Sequence, residues 1–146
     1  MTRMINTEFL EPLLLQAADI PRKRVNYDMR TSPEDGSQRM LNAMQPGTEV
    51  AVHRHPNSDE NVLAIEGRLD VILLEKDPLV HGEGCMVHGS GLKEIERFHL
   101  CPKEGRYGCQ VPKGVWHTVE VIEPSVIYEA KDGKYGEDGS EMYSDV

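Results

Sequence analysis

The chain has 146 residues and a formal charge of −9, from 16 Lys plus Arg against 25 Asp plus Glu. Its 38% apolar and 28% charged residues suit one soluble globular domain. The negative charge, with no basic stripe to offset it, argues against nucleic-acid and anionic-membrane partners, and apolar runs as short as Pro12–Leu15 and Val71–Leu74 fall far below the roughly 18 residues of a membrane span.

Residues 7–19 carry a helical stripe of Phe9, Leu10, Leu13, Leu14 and Ala17, with Asn6 or Thr7 as cap, Glu8 and Glu11 in or near the first turn, and Pro21 as the stop. Residues 21–36 are charged and turn-rich and read as a connecting arm. From Gln38 the period changes. Short Val/Ile/Leu segments recur at 38–44, 48–55, 60–66, 68–75, 94–100, 107–111, 115–122 and 125–130, divided by Gly and Pro. That pattern predicts an all-β sandwich or small barrel. Glu66-Gly67 is expected to form a tight hairpin. The expected layout is a helix and arm over 1–36, a barrel over 37–130 and a polar, acidic tail over 131–146. The tail is expected to fray, or to lie across the barrel or a partner subunit. The stretch 77–93 holds an echo, VHGEG at 80–84 and VHGSG at 87–91, and reads as a Gly-rich hairpin or loop.

The informative stretch is 46–67. His53 and His55 are two apart, so on a strand both point to one face, together with Ala51. Pro56, Asn57, Ser58 and Asp59 reverse the chain, and Glu60 opens the next strand facing the same pair. Farther on, Pro112 and Gly114 make a turn and His117 enters a strand, with Val119 and Val121 following it inward. Three imidazoles and one carboxylate suit a divalent Fe, Mn, Ni, Co or Zn ion with positions left for water or substrate. Glu60 has a second reading as a general base beside the metal. A lone histidine is most often a bland surface or core residue, and the metal reading rests on four ligand-type residues in register. His81, Cys85 and His88 read as incidental ligand types in a Gly-rich loop, and His99 has no evident partner. Trp116 reads as packing beside the ligand strand. Cys109 reads as a small buried residue. The odd set Cys85, Cys101 and Cys109 reads as reduced thiols in a cytoplasmic protein. No secretory signal is visible in Met1 to Pro12.

These residues resemble the cupin pattern. Gly47, His53, His55, Glu60 and Gly67 meet every fixed position of the first cupin motif. Pro112, Gly114 and His117 meet the second in part: its first Gly would fall on Arg106, and its final Asn falls on Val121. More of the chain is similar to the WbuC family, small cupin-fold metalloproteins often encoded among genes for bacterial surface polysaccharide. That likeness is carried by Pro21-Arg22-Lys23-Arg24-Val25-Asn26, the run Gln38 to Thr48, His53 to Pro56, and Gly114 to Val119. The resemblance implies a double-stranded β-helix, or jelly roll, with a short N-terminal helix and one metal ion per chain held by His53, His55, Glu60 and His117. It also implies a homodimer, in keeping with the need of small β domains to cover their edges.

Candidate substrate contacts are Arg24, Asn26, Arg39, Asn42 and Tyr107. Arg39 and Asn42 fall on opposite faces of a regular strand, so both could line one cavity only through a bulge. The sequence names no catalytic group. It is compatible with a metal-dependent isomerase or oxygenase acting on a small polar or sugar-like molecule. It is equally compatible with a non-catalytic cupin in which the metal aids ligand binding or stability. The complete ligand set argues against a vestigial interaction protein.

Overall fold

A computed structural model of the chain describes residues 3–77, 91–134 and 136–143. It shows one helix and a curled, largely antiparallel sheet, the half-barrel of a cupin-like double-stranded β-helix. Helix α1 (Thr7–Ala18) begins where Asn6 Oδ1 accepts from the Phe9 N–H at 2.9 Å, so Asn6 is the cap. Strands β1 (Arg24–Asp28), β2 (Ser37–Met44), β3 (His53–Arg54), β4 (Glu60–Lys76), β5 (Leu92–Leu100), β6 (Gly108–Val111), β7 (Trp116–Asp132) and β8 (Glu141–Met142) follow. The sheet runs β1-β2-β7-β3-β8, and β4 pairs with β5, β6 and β7. No helix among the described residues is long and apolar enough to cross a membrane.

Three apolar clusters hold this arrangement. Met44, Val62, Leu69, Val71, Leu100, Val121 and Ile127 fill the barrel. Leu10 from α1 covers Leu41, Ala43 and Val126 on the outer face of β2 and β7. Ile72, Leu74, Leu92 and Trp116 close one end. Because α1 covers one face of β2 and the barrel interior the other, residues 41–44 are buried without alternation.

The structure corrects four readings. The Glu66-Gly67 hairpin does not form: β4 runs through it as one strand, with bulges between Ala64 and Leu69. Those bulges switch the inward parity from Val62 and Ala64 to Leu69, Val71 and Leu73, which turns the barrel corner. Gly67 has φ 97°, and a Cβ there would lie 2.3 Å from the Pro124 carbonyl oxygen, so the position demands glycine for close strand approach. Segments 115–122 and 125–130 likewise merge into β7. The 21–36 arm contributes β1, paired to β2 from Arg24↔Met44 to Asp28↔Met40. Only His53–Arg54 of the expected 48–55 strand joins the ladder. Residues before it are held instead by single bonds, such as the Thr118 hydroxyl to the Val50 carbonyl at 2.5 Å. The echo segment and Cys85, His81 and His88 lie outside the described residues, Gly91 excepted.

Candidate metal centre

His53 and His117 are direct cross-strand partners in β3 and β7. His55 follows β3 on the same face, and Glu60 opens β4. The two motif turns are tied together: Gly114 N–H donates to the His55 carbonyl at 2.8 Å, and Lys113 N–H to Asp59 Oδ1 at 2.8 Å. The three imidazoles stand 4.3–5.1 Å apart by ring centre, and their ligand atoms lie within 4.8 Å of one another. His55, Glu60 and His117 are buried and His53 is half-buried.

Hydrogen bonding sets which ring nitrogen faces inward. His53 Nδ1 sits 2.8 Å from the Ala51 carbonyl and His117 Nδ1 2.9 Å from the Val115 carbonyl. A carbonyl only accepts, so in the neutral rings Nδ1 carries the proton and Nε2 presents a lone pair. The Ser140 hydroxyl donates to Asp138 Oδ2, so its oxygen accepts from His55 Nδ1 at 2.6 Å, and the third ring takes the same tautomer. Lys131 Nζ anchors Asp138 at 2.5 Å. Burial would raise the Asp138 carboxyl, but Lys131 and Ser140 outweigh it and hold it at about 2. Burial, then the neighbouring His117, push His53 down to about 4, so it is neutral at physiological pH. Three converging Nε2 lone pairs, each fixed from behind, form a site for one divalent transition-metal ion. Their donor type does not select among Fe, Mn, Co, Ni and Zn.

Glu60 Oε2 lies 3.0 Å from His55 Nε2, and Oε1 lies 3.7 Å from His117 Nε2. Neither contact is aligned as a hydrogen bond: His55 Nε2, His117 Nε2 and Glu60 Oε2 are buried without a partner.

The centre opens on a cavity of about 260 Å³. Val62, Val71, Val119 and Ile127 form its apolar floor; Arg24, Asn26, Gln38 and Asn42 from β1 and β2 line another flank, with Glu129 of β7. The tail does not fray over 136–143. Gly136, Ser140 and Met142 border the cavity, and β8 pairs with β3. Arg54 clamps that crossing, its guanidinium 4.4 Å above the Trp116 ring and its Nε donating to Glu141 at 2.8 Å.

Of the predicted contacts, Arg24, Asn26 and Asn42 reach this cavity and two do not. Arg39 points to the outer surface and pairs with Asp35, because β2 carries no bulge and its even-numbered residues face inward. Tyr107 is exposed, beside His99 and Arg106 on an outer groove. Trp116 packs, as expected. Cys109 is half-buried against the barrel core, and burial pushes its thiol up to about 12. His99 has a partner after all, Asp70, at 2.8 Å. Sequence reasoning missed Gln38, Glu129, Asp138 and Ser140. Glu129 shares the inward parity of Ile127, a readable signal; the tail residues had none.

Residues 5–85 match the family profile described as a domain of unknown function, DUF6016. The chain belongs to that family. No curated protein matches its sequence. Among solved structures, this DUF6016 chain is similar to an oxalate oxidase in complex with the substrate analogue glycolate, at 14% identity and TM-score 0.57, over 85% of this chain and 57% of that one. It is also similar to KdgF from Halomonas sp. (16% identity, TM-score 0.54, 80% and 85% covered) and to TT1209 from Thermus thermophilus (18%, 0.57, 90% and 98%). The chain thus spans a little over half of the oxalate oxidase. At such identities these likenesses establish the cupin-like fold alone.

Proposed function

We propose that this protein is a metal-dependent enzyme acting on a small polar or sugar-like molecule, with Glu60 joining His53, His55 and His117 as the fourth ligand. The observation that carries the reading is the unpaired Nε2 atoms of His55 and His117 and the Glu60 carboxylate facing one another in one cavity. Two acceptors 3.0 Å apart repel unless a cation lies between or beside them. A bound metal would supply Lewis acidity or a lowered water pKa. The chain's own residues fix the donors and present Arg24, Asn26 and Asn42 to the ligand.

The resemblance to WbuC cupins extends this reading to bacterial surface polysaccharide metabolism, in a single-domain cytoplasmic protein. The exposed Leu63, Ile65, Tyr107 and Ile122 support a homodimer; a monomer mass by light scattering would refute it. A non-catalytic metal-aided binder is the second reading, favoured by the tail that borders the cavity mouth.

Elemental analysis of protein purified without an affinity tag tests the centre. About one transition-metal ion per chain, lost in His53→Ala, is expected. Equal metal content in both proteins would remove the assignment. Glu60→Gln separates the two roles of the carboxylate: a ligand role lowers metal affinity, whereas a pure base role leaves it unchanged.

A further inference from the structure

Asn26 Oδ1, Gln38 Oε1 and Asn42 Oδ1 are buried side-chain oxygens without a hydrogen-bond partner, and all three belong to residues lining the cavity of the metal centre. Folded proteins leave few such atoms, since each has given up its hydrogen bonds to water without a replacement, and a cluster of them in one place needs a physical reason. Gln38 and Asn42 are more than nine-tenths buried. Asn26 and Asn42 are direct cross-strand partners, and Gln38 lies four residues before Asn42 on the same face of β2, so all three belong to one flank. Asn42 Nδ2 donates to Glu129 Oε1 at 3.1 Å, which leaves Oδ1 as the free acceptor when Glu129 is ionised.

We propose that this β1–β2 flank is a recognition subsite for a polyhydroxy compound of monosaccharide size, whose hydroxyls donate to Asn26, Gln38 and Asn42. Three acceptors in a row call for a ligand rich in donors. Arg24, on the same flank, adds a donor suited to a carboxylate, so a sugar acid falls within the class as well as a neutral sugar. The volume of about 260 Å³ lies just below the roughly 300–1,000 Å³ of pockets for drug-sized ligands, which suits one sugar ring and not a chain. The apolar floor of Val62, Val71, Val119 and Ile127 offers a surface for the ring's C–H face. The subsite rests on the proposed reading of the cavity as a small-molecule site, but not on the metal.

The test titrates D-glucose, D-galactose, D-mannose and D-glucuronate into zinc-loaded protein, followed by amide chemical-shift perturbation. Fully O-methylated glucose, with the same ring and no donor, is the control. At least one sugar is expected to bind and the methylated ring is not. Gln38→Met and Asn26→Leu, made separately in case one fails to fold, are each expected to weaken that sugar about fivefold or more while zinc content stays at the wild-type level. Binding of the methylated ring as tightly as the sugar, indifference to both variants, or no binding by any sugar of the panel would overturn the subsite. Zinc retained with no sugar bound would sink the subsite and spare the metal centre. Sugar binding that depends on Gln38, in a protein that never takes up metal, would do the reverse.

Discussion

Two regions of the barrel use histidine in opposite ways. At the cavity end His53, His55 and His117 each spend Nδ1 on a fixed acceptor and turn Nε2 toward a shared point. On the outer face His99 also spends Nδ1, on Asp70, but it stands alone and its side chain is 64% exposed. Asp70 serves Arg97 as well, at 2.8 Å, and Arg97 reaches Glu94 and Glu120. The same imidazole is therefore a donor of lone pairs where three converge in a buried pocket, and part of a surface ion network where it does not. Convergence and burial, more than the presence of an orienting carboxylate, separate the two.

The most damaging change is loss of a converging ring. His117→Ala is expected to lower metal affinity at least about 100-fold while a β-sheet circular dichroism spectrum is retained, since two rings and Glu60 cannot replace the third from their fixed positions. A variant that keeps wild-type metal affinity would show that the rings merely pack.

Next in size is a pH effect at Glu129, which lies in the same cavity without touching the outer network. Burial, reinforced by Glu60, raises its carboxyl to about 7 from an ordinary 4.5. A carboxyl raised in the folded state contributes fully below the unfolded value, and that contribution is lost as pH rises through the folded one. In metal-free protein Glu129→Gln should therefore match the wild type near pH 4.5 and exceed it by about 2–3 kcal/mol at pH 8. Denaturant melts at the two pH values check this, and a constant difference between variant and wild type would reject it.

Much of this contrast was legible beforehand. Strand parity put His53 and His55 on one face and kept Arg39 and Asn42 apart, and both hold. Gly67 misled because hairpin and bulge glycines share a positive φ, and only the partner strand, bulged at Pro124, tells them apart. Strand β1 escaped notice because Arg24-Val-Asn-Tyr-Asp28 is polar and only half-buried, so no apolar alternation announces it. Asp138 and Ser140 could not be found at all. Their role depends on where the tail crosses the mouth, which is a tertiary fact without local periodicity.

That crossing yields the next prediction. Ser140→Ala removes the acceptor behind His55 and leaves Asp138 3.4 Å from Nδ1, too far to replace it well. Metal affinity is expected to fall about tenfold, the low end for loss of a partner behind a ligand. Competition with a chelator reads this directly, and unchanged affinity would mean that the tail covers the centre without tuning it.

The smallest effect belongs to the outer histidine, and it is what makes the comparison sharp. His99→Ala deletes an exposed ring whose partner Asp70 keeps Arg97, so no buried charge is orphaned. Exposed pairs contribute little, and stability should change by about 0.5 kcal/mol or less. Metal content should not change, because none of the centre's ligand or orienting groups contacts His99. A measurable loss of metal in this variant would mean that the two faces of the sheet communicate through the β4–β7 ladder, where Asp70 pairs with Glu120 three residues along from His117. The distinction between converging and solitary histidines would then be one of degree.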